Sequence, residues 1–294
     1  MLRRRIKSVQ STKKITKAME MIAASRVVKA QQRVAAARPY AEQMTEVIRQ
    51  LAASGVGLDN PMLSPREEVR TAGFVVITAD RGLAGAYNSS VNRRAEREIR
   101  AEQDKGRDYS LAIAGRKGEG YFRYRGYRVD YADGGFSEQP NYEDARRLGE
   151  RVIERFREGE IDQVDIVYTR FLSVGSQKVT STRLLPLEKK AIEDMAEGGP
   201  ESLYEFEPDP EAILDRLLPR YVQSRVFAAM LDAAASEHAA RQRAMKSATD
   251  NAEDLIGSLS VQANKVRQAG ITTEIMEVVG GAEALRGSGH SHAQ

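Results

Sequence analysis

Residues 1–54 read MLRRRIKSVQSTKKITKAMEMIAASRVVKAQQRVAAARPYAEQMTEVIRQLAAS, a stretch with no glycine and a single proline, Pro39. Good helix formers dominate it, which predicts one long helix. Alternating steps of three and four residues visit mostly apolar side chains, as along the heptad seam of a coiled coil. The seam positions are Ile6, Val9, Lys13, Thr16, Glu20, Ala23, Val27, Ala30, Val34, Ala37, Ala41, Met44, Ile48 and Leu51.

Three consecutive positions of this seam are polar, namely Lys13, Thr16 and Glu20. Apolar side chains occupy another face of the same stretch, at Ile15, Met19 and Ile22. We therefore expect this part of the helix to contact something besides its coiled-coil mate.

The C-terminal third repeats the pattern. Residues 220–269 contain no proline and one glycine, Gly257. The same steps predict a second seam, rich in the small alanine side chains that permit close helix approach. It consists of Phe227, Leu231, Ala234, His238, Arg241, Met245, Ala248, Ala252, Leu255, Leu259, Gln262 and Val266.

The lengths of the two helices decide the predicted architecture. At ~1.5 Å per residue, a helix of about 50 residues is roughly 75 Å long. The ~160 residues between them would form a domain with a radius of gyration of only roughly 15 Å. Such a domain cannot enclose these helices, so we expect them to pair with each other, antiparallel, as a stalk.

The middle of the chain has the pattern of an α/β domain. Strands are predicted at 74–78, 111–114, 164–171 and 179–185, with helices at 91–103 and 142–157, the second capped by Asn141. Alternating strands and helices favour a mainly parallel, doubly wound, Rossmann-like sheet. The predicted domains are a coiled-coil helix at 1–54, the α/β domain at 70–195, a second coiled-coil helix at 210–286 and a flexible tail at 287–294.

Composition excludes several classes of function. The chain has no cysteine, which removes disulfides, thiol nucleophiles and zinc–thiolate sites. No apolar run approaches the ~20 residues of a membrane span. The formal net charge is only +3. The first 33 residues are nonetheless strongly basic, which indicates either a solvated helix face or a surface for an acidic partner, nucleic acid or anionic lipid.

Two glycine-containing loops follow predicted strands, Asp80–Gly85 and Gly115–Gly120. Both lie where a phosphate-binding loop would lie, but neither has the Walker motif or the G-x-G-x-x-G pattern. Tight strand–helix turns are the favoured interpretation. The three histidines show no metal-ligand spacing, and no set of catalytic side chains is visible. We therefore predict no catalytic residue, no metal and no cofactor in this chain.

The segment from Ile271 to Ala282 mixes charged and apolar residues at the end of the second long helix. A helix that outruns its partner must either fray or fit into another protein. The spacing alone leaves both alternatives open.

Four motifs, in order along the chain, resemble the ATP synthase gamma family. They are Ile271-Thr272-x-Glu274-x-x-Glu277-x-x-x-Gly281-Ala282-x-Ala284, the N-terminal run Lys14–Ser25, the loop Ala79–Gly85 and the helical run Met245–Ala252. The resemblance extends from residue 3 to about residue 285 and is specific.

This resemblance implies a rotor shaft without catalysis of its own. The coiled coil would lie inside a hexamer of three alpha and three beta subunits, and the globular part would bind the epsilon subunit and the ring of c subunits. Ion-driven rotation of the shaft would force each beta subunit through different nucleotide affinities. Because the match begins by residue 3, no presequence is expected, which favours a bacterial protein on the cytoplasmic face of the plasma (inner) membrane, bound peripherally.

The resemblance also implies roles for individual residues. Met19, Arg241 and Gln268 match positions where the shaft meets beta or supports that contact. Thr272, Glu274 and Glu277 match the upper bearing and coupling region. The segment that rests on the c ring is matched by Tyr204, Phe206 and Glu207.

Two alternatives of other classes remain at this point. A nucleic-acid-binding coiled-coil protein is suggested by the basic N-terminal helix, and it predicts an affinity that falls steeply with salt. A nucleotide-binding α/β enzyme is suggested by the glycine loops, and it predicts saturable nucleotide binding by the isolated chain.

Overall fold

The computed structural model describes residues 2–53, 60–187 and 210–288. Within these ranges the helices are α1 (Leu2–Ala53), α2 (Tyr87–Asp104), α3 (Arg116–Tyr124), α4 (Tyr142–Arg157) and α5 (Pro210–Ser288). The strands are β1 (Thr71–Ile77), β2 (Asp108–Ala114), β3 (Tyr131–Asp133), β4 (Gln163–Phe171) and β5 (Gln177–Leu185).

The seam predicted along α1 is confirmed by burial. None of its positions from Ile6 to Leu51 is exposed, and Ile48 and Leu51 are completely buried. The polar positions belong to the same face, since Thr16 is buried and Lys13 is half-buried. Pro39 lies inside the helix on its exposed side.

The seam predicted along α5 is correct as far as Ala252; beyond it, Leu259 is confirmed and the other three positions are wrong. Leu255, Gln262 and Val266 are exposed, whereas Leu259 is buried and Ile256 is half-buried. The physical reason is the helical period: a straight α-helix drifts by ~20° per heptad relative to a strict 3.5-residue repeat. The buried face therefore advances by four residues, from Ala252 to Ile256, where the alternating steps had advanced by three.

The chain divides into two compact units. The first combines Met1–Glu20 with Met245–Gln294, and the second is Met21–Ala244. In the first unit, Lys13 Nζ lies 2.8 Å from Glu253 Oε1, and the hydroxyls of Thr16 and Thr249 are hydrogen-bonded at 2.8 Å. Because the partner's number falls as the α1 number rises, the two helices pair antiparallel, as predicted.

The second unit contains a five-stranded sheet in the order β3-β2-β1-β4-β5. β1 pairs parallel with β2 and with β4, so that Phe74 lies beside both Leu111 and Asp165. β5 pairs antiparallel with β4. Helices cover both faces of this Rossmann-like sheet, in agreement with the predicted fold class.

The two faces of β1 explain how the helices are distributed. Phe74 and Val76 point to a cluster with Val91 and Ile99 of α2. The alternate residues of β1, Val75 and Ile77, join a larger cluster that includes side chains of α1, α4 and α5. A strand buried on both faces reads as a continuous apolar run, which is why β1 was recognisable in the sequence.

The shorter elements were not predicted. β3 has three residues and pairs with Ala112–Ala114, and α3 begins directly after Gly115, inside a segment interpreted as a turn. The prediction for α4 is confirmed in detail, because the Asn141 side chain accepts from the Asp144 N–H and the Asp144 carboxylate accepts from the Asn141 N–H. The predicted boundary of the tail, 287–294, falls largely outside the described residues.

Candidate functional site

The end of α5 is exposed without interruption. Every residue from Asn264 to Ala282 is solvent-accessible. The exposed side chains include large apolar ones: Ile271, Ile275, Met276, Val278 and Val279. Val278 is 73% exposed and Met276 is 68% exposed. A contiguous apolar surface of this kind marks an interaction site in a soluble protein.

The predicted contact residues divide between two sides of this helix end. At about 100° per residue, the five apolar side chains fall within an arc of about 160°. Gln268 and Thr272 lie inside that arc, and Glu274 and Glu277 lie on the opposite side. The Thr272 hydroxyl donates to the backbone oxygen of Gln268 at 2.9 Å. The helix end therefore presents one apolar face and one acidic face.

The N-terminal contact residue predicted on α1 is Met19, which is half-buried in the first unit. Ile15, on the same side of α1, is 61% exposed. Lys17 Nζ approaches Glu20 Oε2 at 3.1 Å, so that the Glu20 carboxylate has a partner on its own helix. Ile15 is thus one of the large apolar side chains that α1 presents to solvent, and Met21 and Ile22, which follow in the second unit, are exposed as well.

Arg241 lies in the second unit, inside a buried cluster of charged side chains. Its Nη2 donates to Glu237 Oε1 at 2.6 Å and to the Gly82 carbonyl at 3.3 Å. Its Nη1 lies 3.4 Å from Glu138 Oε1. Glu138 is also bonded by Arg26. The Arg241 side chain is 8% exposed, and its guanidinium contacts this chain's own carboxylates. The contact with beta that the resemblance implies for Arg241 remains a prediction.

Burial controls ionisation in this cluster. Desolvation raises the pKa of Glu237, and the Arg241 guanidinium opposes that increase. Burial lowers the pKa of His238, whose Nε2 lies 3.1 Å from the Glu138 carbonyl oxygen. The cluster depends on Arg241, because without it Glu237 would be a buried carboxylate without a counter-ion.

Asp80, the first residue of the Asp80–Gly85 loop, fixes the position of this loop through hydrogen bonds. The Asp80 carboxylate accepts from the Ser137 N–H at 2.9 Å and from the Arg116 N–H at 3.1 Å. Burial opposes ionisation of Asp80, but the N–H donors of Ser137, Gly135 and Arg116 lower its pKa below the ordinary value. In this structure the Asp80–Gly85 segment is a turn between β1 and α2, as predicted.

Gly115, in the second glycine-containing loop, also has a structural role. It adopts a φ of 110°, and a Cβ there would lie 2.2 Å from the Thr78 carbonyl oxygen. The predicted turn therefore consists of Gly115 alone, and α3 begins at the next residue.

Some predicted residues lie outside the described part of the chain, and some important residues were not predicted. Tyr204, Phe206 and Glu207 fall in the range 188–209, which is outside the described residues. The carboxylate partners of Arg241, Glu138 and Glu237, were not singled out, and neither was Arg26, which bonds Glu138. The i,i+4 spacing of Glu237 and Arg241 could have indicated that pair, but Glu138 is distant in sequence and gave no signal.

Metal sites and membrane spans are both absent from the described residues. No group of three or more histidine, aspartate or glutamate side chains there could hold a metal ion. Over the same ranges, no helix combines enough length and apolarity to cross a membrane.

Comparisons with known proteins agree over almost the whole chain. The model of a family described as ATP synthase matches residues 1–285. The ATP synthase gamma chain of Frankia casuarinae is 52% identical over 287 residues, covering 96% of each chain. The gamma chain of Mycolicibacterium smegmatis is 49% identical over 301 residues, covering 98% of this chain and 97% of its own.

Solved structures give the same result. A chain of the central stalk and c ring of the Tetrahymena thermophila mitochondrial ATP synthase aligns with a TM-score of 0.60 and 26% identity, covering 80% of this chain and 99% of that one. A chain of the Euglena gracilis mitochondrial ATP synthase aligns over 100% of this chain and 96% of that one, with a TM-score of 0.67 and 18% identity, and supports the fold. The chain therefore belongs to the gamma chain family of the ATP synthases.

Proposed function

We propose that this chain is the rotating central shaft of an ATP synthase. It couples ion-driven rotation of the membrane c ring to conformational cycling of the catalytic beta subunits, and it drives ion pumping when ATP is hydrolysed. A gamma chain is a non-catalytic subunit, since the catalytic sites of the complex lie on the beta subunits. The chain itself acts on the beta subunits mechanically, through the contacts that it makes with them.

The observation that carries this proposal is the exposed end of α5. A single helix shorter than ~12–15 residues is marginal in water, and longer isolated helices gain most of their stability from packing. Ile271, Ile275 and Val278 expose apolar surface that the described part of the chain does not cover. A surrounding sleeve of partner subunits would cover it.

The unequal sides of the α5 end suggest how rotation could be transmitted. A shaft with one apolar face and one acidic face makes different contacts with a given beta subunit at each angle. A ligand or partner shifts a conformational equilibrium only by its differential affinity for the two states. Turning the shaft would therefore favour a different beta conformation at each step, and the coupling is reciprocal.

The predicted contact residues divide into two groups in this proposal. Gln268 and Thr272 contact the sleeve along the apolar face, and Glu274 and Glu277 contact it along the acidic face. Met19, with the exposed Ile15 beside it, forms the contact from α1. Arg241 supports these contacts through its buried cluster.

The opposite end of the complex is assigned from the family resemblance. Tyr204, Phe206 and Glu207 would form the foot on the c ring, and the epsilon subunit would bind the central α/β domain. Similarity to bacterial gamma chains supports placement on the cytoplasmic face of a bacterial plasma membrane, as a peripheral part of the membrane complex.

Reconstitution tests the proposal. The purified chain is mixed with alpha and beta subunits, and assembly and ATPase activity are measured. We expect a complex whose ATPase depends on this chain. Failure to assemble, combined with tight and salt-sensitive DNA binding or with nucleotide hydrolysis by the chain alone, would favour the two alternative functions instead.

A further inference from the structure

A cavity of about 400 Å³ lies at the beginning of α2. It is lined by Ser90 of α2, Thr169 near the end of β4, Gln177 at the start of β5 and Arg243 of α5. All these residues belong to the second unit. The volume is in the range of small-molecule sites, ~300–1,000 Å³.

The cavity lies at a point of the sheet where ligands bind in related architectures. β1 has β2 on one side and β4 on the other, so the direction in which strands are added reverses beside β1. In open α/β sheets, the crevice at the carboxyl ends of the strands at such a reversal is the usual ligand site. Thr169 is near the carboxyl end of β4, and α2 follows the carboxyl end of β1.

The first turn of α2 has no side-chain cap. Ala86 occupies the N-cap position, no side chain accepts a hydrogen bond there, and the first turn carries no acidic residue. Gly85 has a φ of 58° and Ala86 a φ of −83°, a change of handedness that turns successive N–H groups toward one side. Neither a side-chain cap nor an acidic residue of the first turn offsets the partial positive charge at the start of this 18-residue helix.

Thr169 is an independent sign of a ligand site. Its side chain lines the cavity, the residue is 5% exposed, and its Oγ1 is buried without a hydrogen-bond partner. Its backbone oxygen, by contrast, accepts from the Ser236 hydroxyl at 3.0 Å. Buried polar side chains in native proteins are rarely left unpartnered.

The charge of the lining favours an anion. Of the described residues that line the cavity, none is acidic, and Arg243 supplies a cation. The Arg243 Nη1 donates to the Val174 carbonyl at 2.6 Å, and its Nη2 bonds the Gln177 side chain. These contacts hold the guanidinium at the rim, and with five N–H donors it retains capacity for a ligand.

We propose that this cavity binds a phosphoryl oxyanion, either inorganic phosphate or the phosphate of a small metabolite. The donors are the N–H groups of Gly85 and Ala86, directly before α2, together with the Thr169 hydroxyl and the Arg243 guanidinium. The N–H groups of Tyr87 and Ser90 are bonded to the Ala84 and Ala86 carbonyls. The Asp80–Gly85 loop is a turn without the Walker lysine, and the proposal concerns binding alone. This site is separate from the exposed end of α5 and does not rest on the proposed shaft function.

Binding is measured by calorimetry with the purified full-length chain at low salt, so that beta subunits contribute no phosphate site. The probes are inorganic phosphate and ADP. We expect saturable binding of at least one probe. Displacement of bound phosphate by ADP identifies a phosphorylated metabolite as the ligand class, and phosphate binding that ADP does not displace identifies the free anion.

Variants then locate the site. Arg243→Gln removes a charge-assisted donor, and we expect the affinity to fall about tenfold or more. Thr169→Val keeps the shape of the side chain and removes its hydroxyl, and we expect a loss of about two- to tenfold. Ala86→Asp places a carboxylate at the helix N-terminus, and we expect it to abolish phosphate binding. Phosphate should then no longer raise the melting temperature of this variant.

The matched control is Arg97→Gln, on the exposed side of the same helix. It removes the same charge from the chain, and we expect it to leave the affinity unchanged. Circular dichroism confirms that each variant is folded. Absence of saturable binding of both probes would overturn the proposal, as would equal affinity in wild type, Arg243→Gln and Thr169→Val.

Discussion

The middle and the end of α5 differ in burial although both belong to one helix. From Ala229 to Ala239 every residue except Asp232 is buried, whereas from Asn264 to Ala282 every residue is exposed. Hydrophobicity does not explain this difference. The middle contains three consecutive alanines, 233–235, while the exposed end carries the larger apolar side chains of Ile275, Met276 and Val278.

The comparison shows that the two regions obey different constraints. In the middle, small side chains meet the requirements of a close-packed interior, and Arg241, just after it, is paired with Glu237. At the end of α5, apolar and charged side chains are exposed, and no other helix or strand of the described residues covers them. Substitutions in the middle should therefore change the stability of the isolated chain, and substitutions at the end should change the behaviour of the assembled complex.

The largest expected effect is at Arg241. Arg241→Met would leave Glu237 buried without its counter-ion, and we expect the free energy of unfolding to fall by about 3–5 kcal/mol. Urea unfolding of the purified chain measures the change. The double variant Glu237→Met/Arg241→Met should recover much of the loss, and the exposed Arg97→Met should change stability by less than about 0.5 kcal/mol. A loss under about 1 kcal/mol for Arg241→Met would contradict a buried pair.

The next effect concerns Asp232, the half-buried exception in the middle of α5. Burial raises its pKa to about 6 from the ordinary 3.8, with Arg170 and Arg38 opposing the increase. Between pH 4 and pH 6 the folded chain keeps the Asp232 proton, whereas the unfolded chain has released it. The stability of the folded chain therefore decreases as the pH rises from about 4 to about 6.

Asp232→Asn tests this pH dependence. We expect the variant and wild type to be equally stable near pH 4, and the variant to be more stable by about 2 kcal/mol at pH 7, reduced by solvent screening. Unfolding at a series of pH values gives the difference directly. A difference that does not change between pH 4 and pH 7 would exclude a raised pKa for Asp232.

A smaller effect is expected where glycine interrupts the exposed end. A Cβ at Gly280 would meet nothing within 4 Å. Gly280→Ala should therefore stabilise the helix end by about 0.5–1 kcal/mol and slow amide hydrogen exchange there. The matched substitution in a packed region is Gly118→Ala, whose Cβ would lie 2.7 Å from Thr78 Oγ1 and should destabilise the domain. If both substitutions stabilised the chain, or both destabilised it, the contrast between the exposed end and the packed domain would be contradicted.

The smallest effect on the isolated chain is expected at Val278, which is 73% exposed. Val278→Asp should change the free energy of unfolding by less than about 0.5 kcal/mol. In a reconstituted complex it should reduce the ATPase activity, because a charge would be placed in an apolar contact. Lys246→Asp, at an exposed position outside the apolar end, is the control. Unchanged ATPase with Val278→Asp would exclude this face as a working contact.

Met19→Lys extends the same test to α1. We expect a charge at this half-buried position to weaken coupling in the complex, so that fewer ions are pumped for each ATP hydrolysed. The ratio of pumping to hydrolysis in membrane vesicles measures the effect. An unchanged ratio would remove Met19 from the coupling surface.

The elements that depend on local pattern could be predicted from the sequence. The seam of α1, the buried strand β1 and the capped helix α4 follow from periodicity, β-branched apolar residues and the N-cap residue Asn141. The exposed end of α5 was also anticipated, because an apolar helix longer than its mate must outrun it.

The features that were missed depend on tertiary contacts. β3 is only three residues long, and its pairing with β2 cannot be inferred from so short a segment. Glu138, one carboxylate partner of Arg241, is distant from it in sequence and is also bonded by Arg26, so the burial of Arg241 carried no sequence signal. Likewise, the cavity beside α2 combines Thr169 and Arg243 through the fold alone.

Observation of rotation tests the central claim most directly. The chain has no cysteine, and Tyr124 is 90% exposed on the α/β domain, so Tyr124→Cys offers one attachment point for a visible probe. The complex of this variant with alpha and beta subunits is immobilised through the beta subunits and supplied with ATP. A rotating shaft predicts continuous turning of the probe in one direction at a rate that follows ATP hydrolysis. Sustained hydrolysis with a stationary probe would contradict the account.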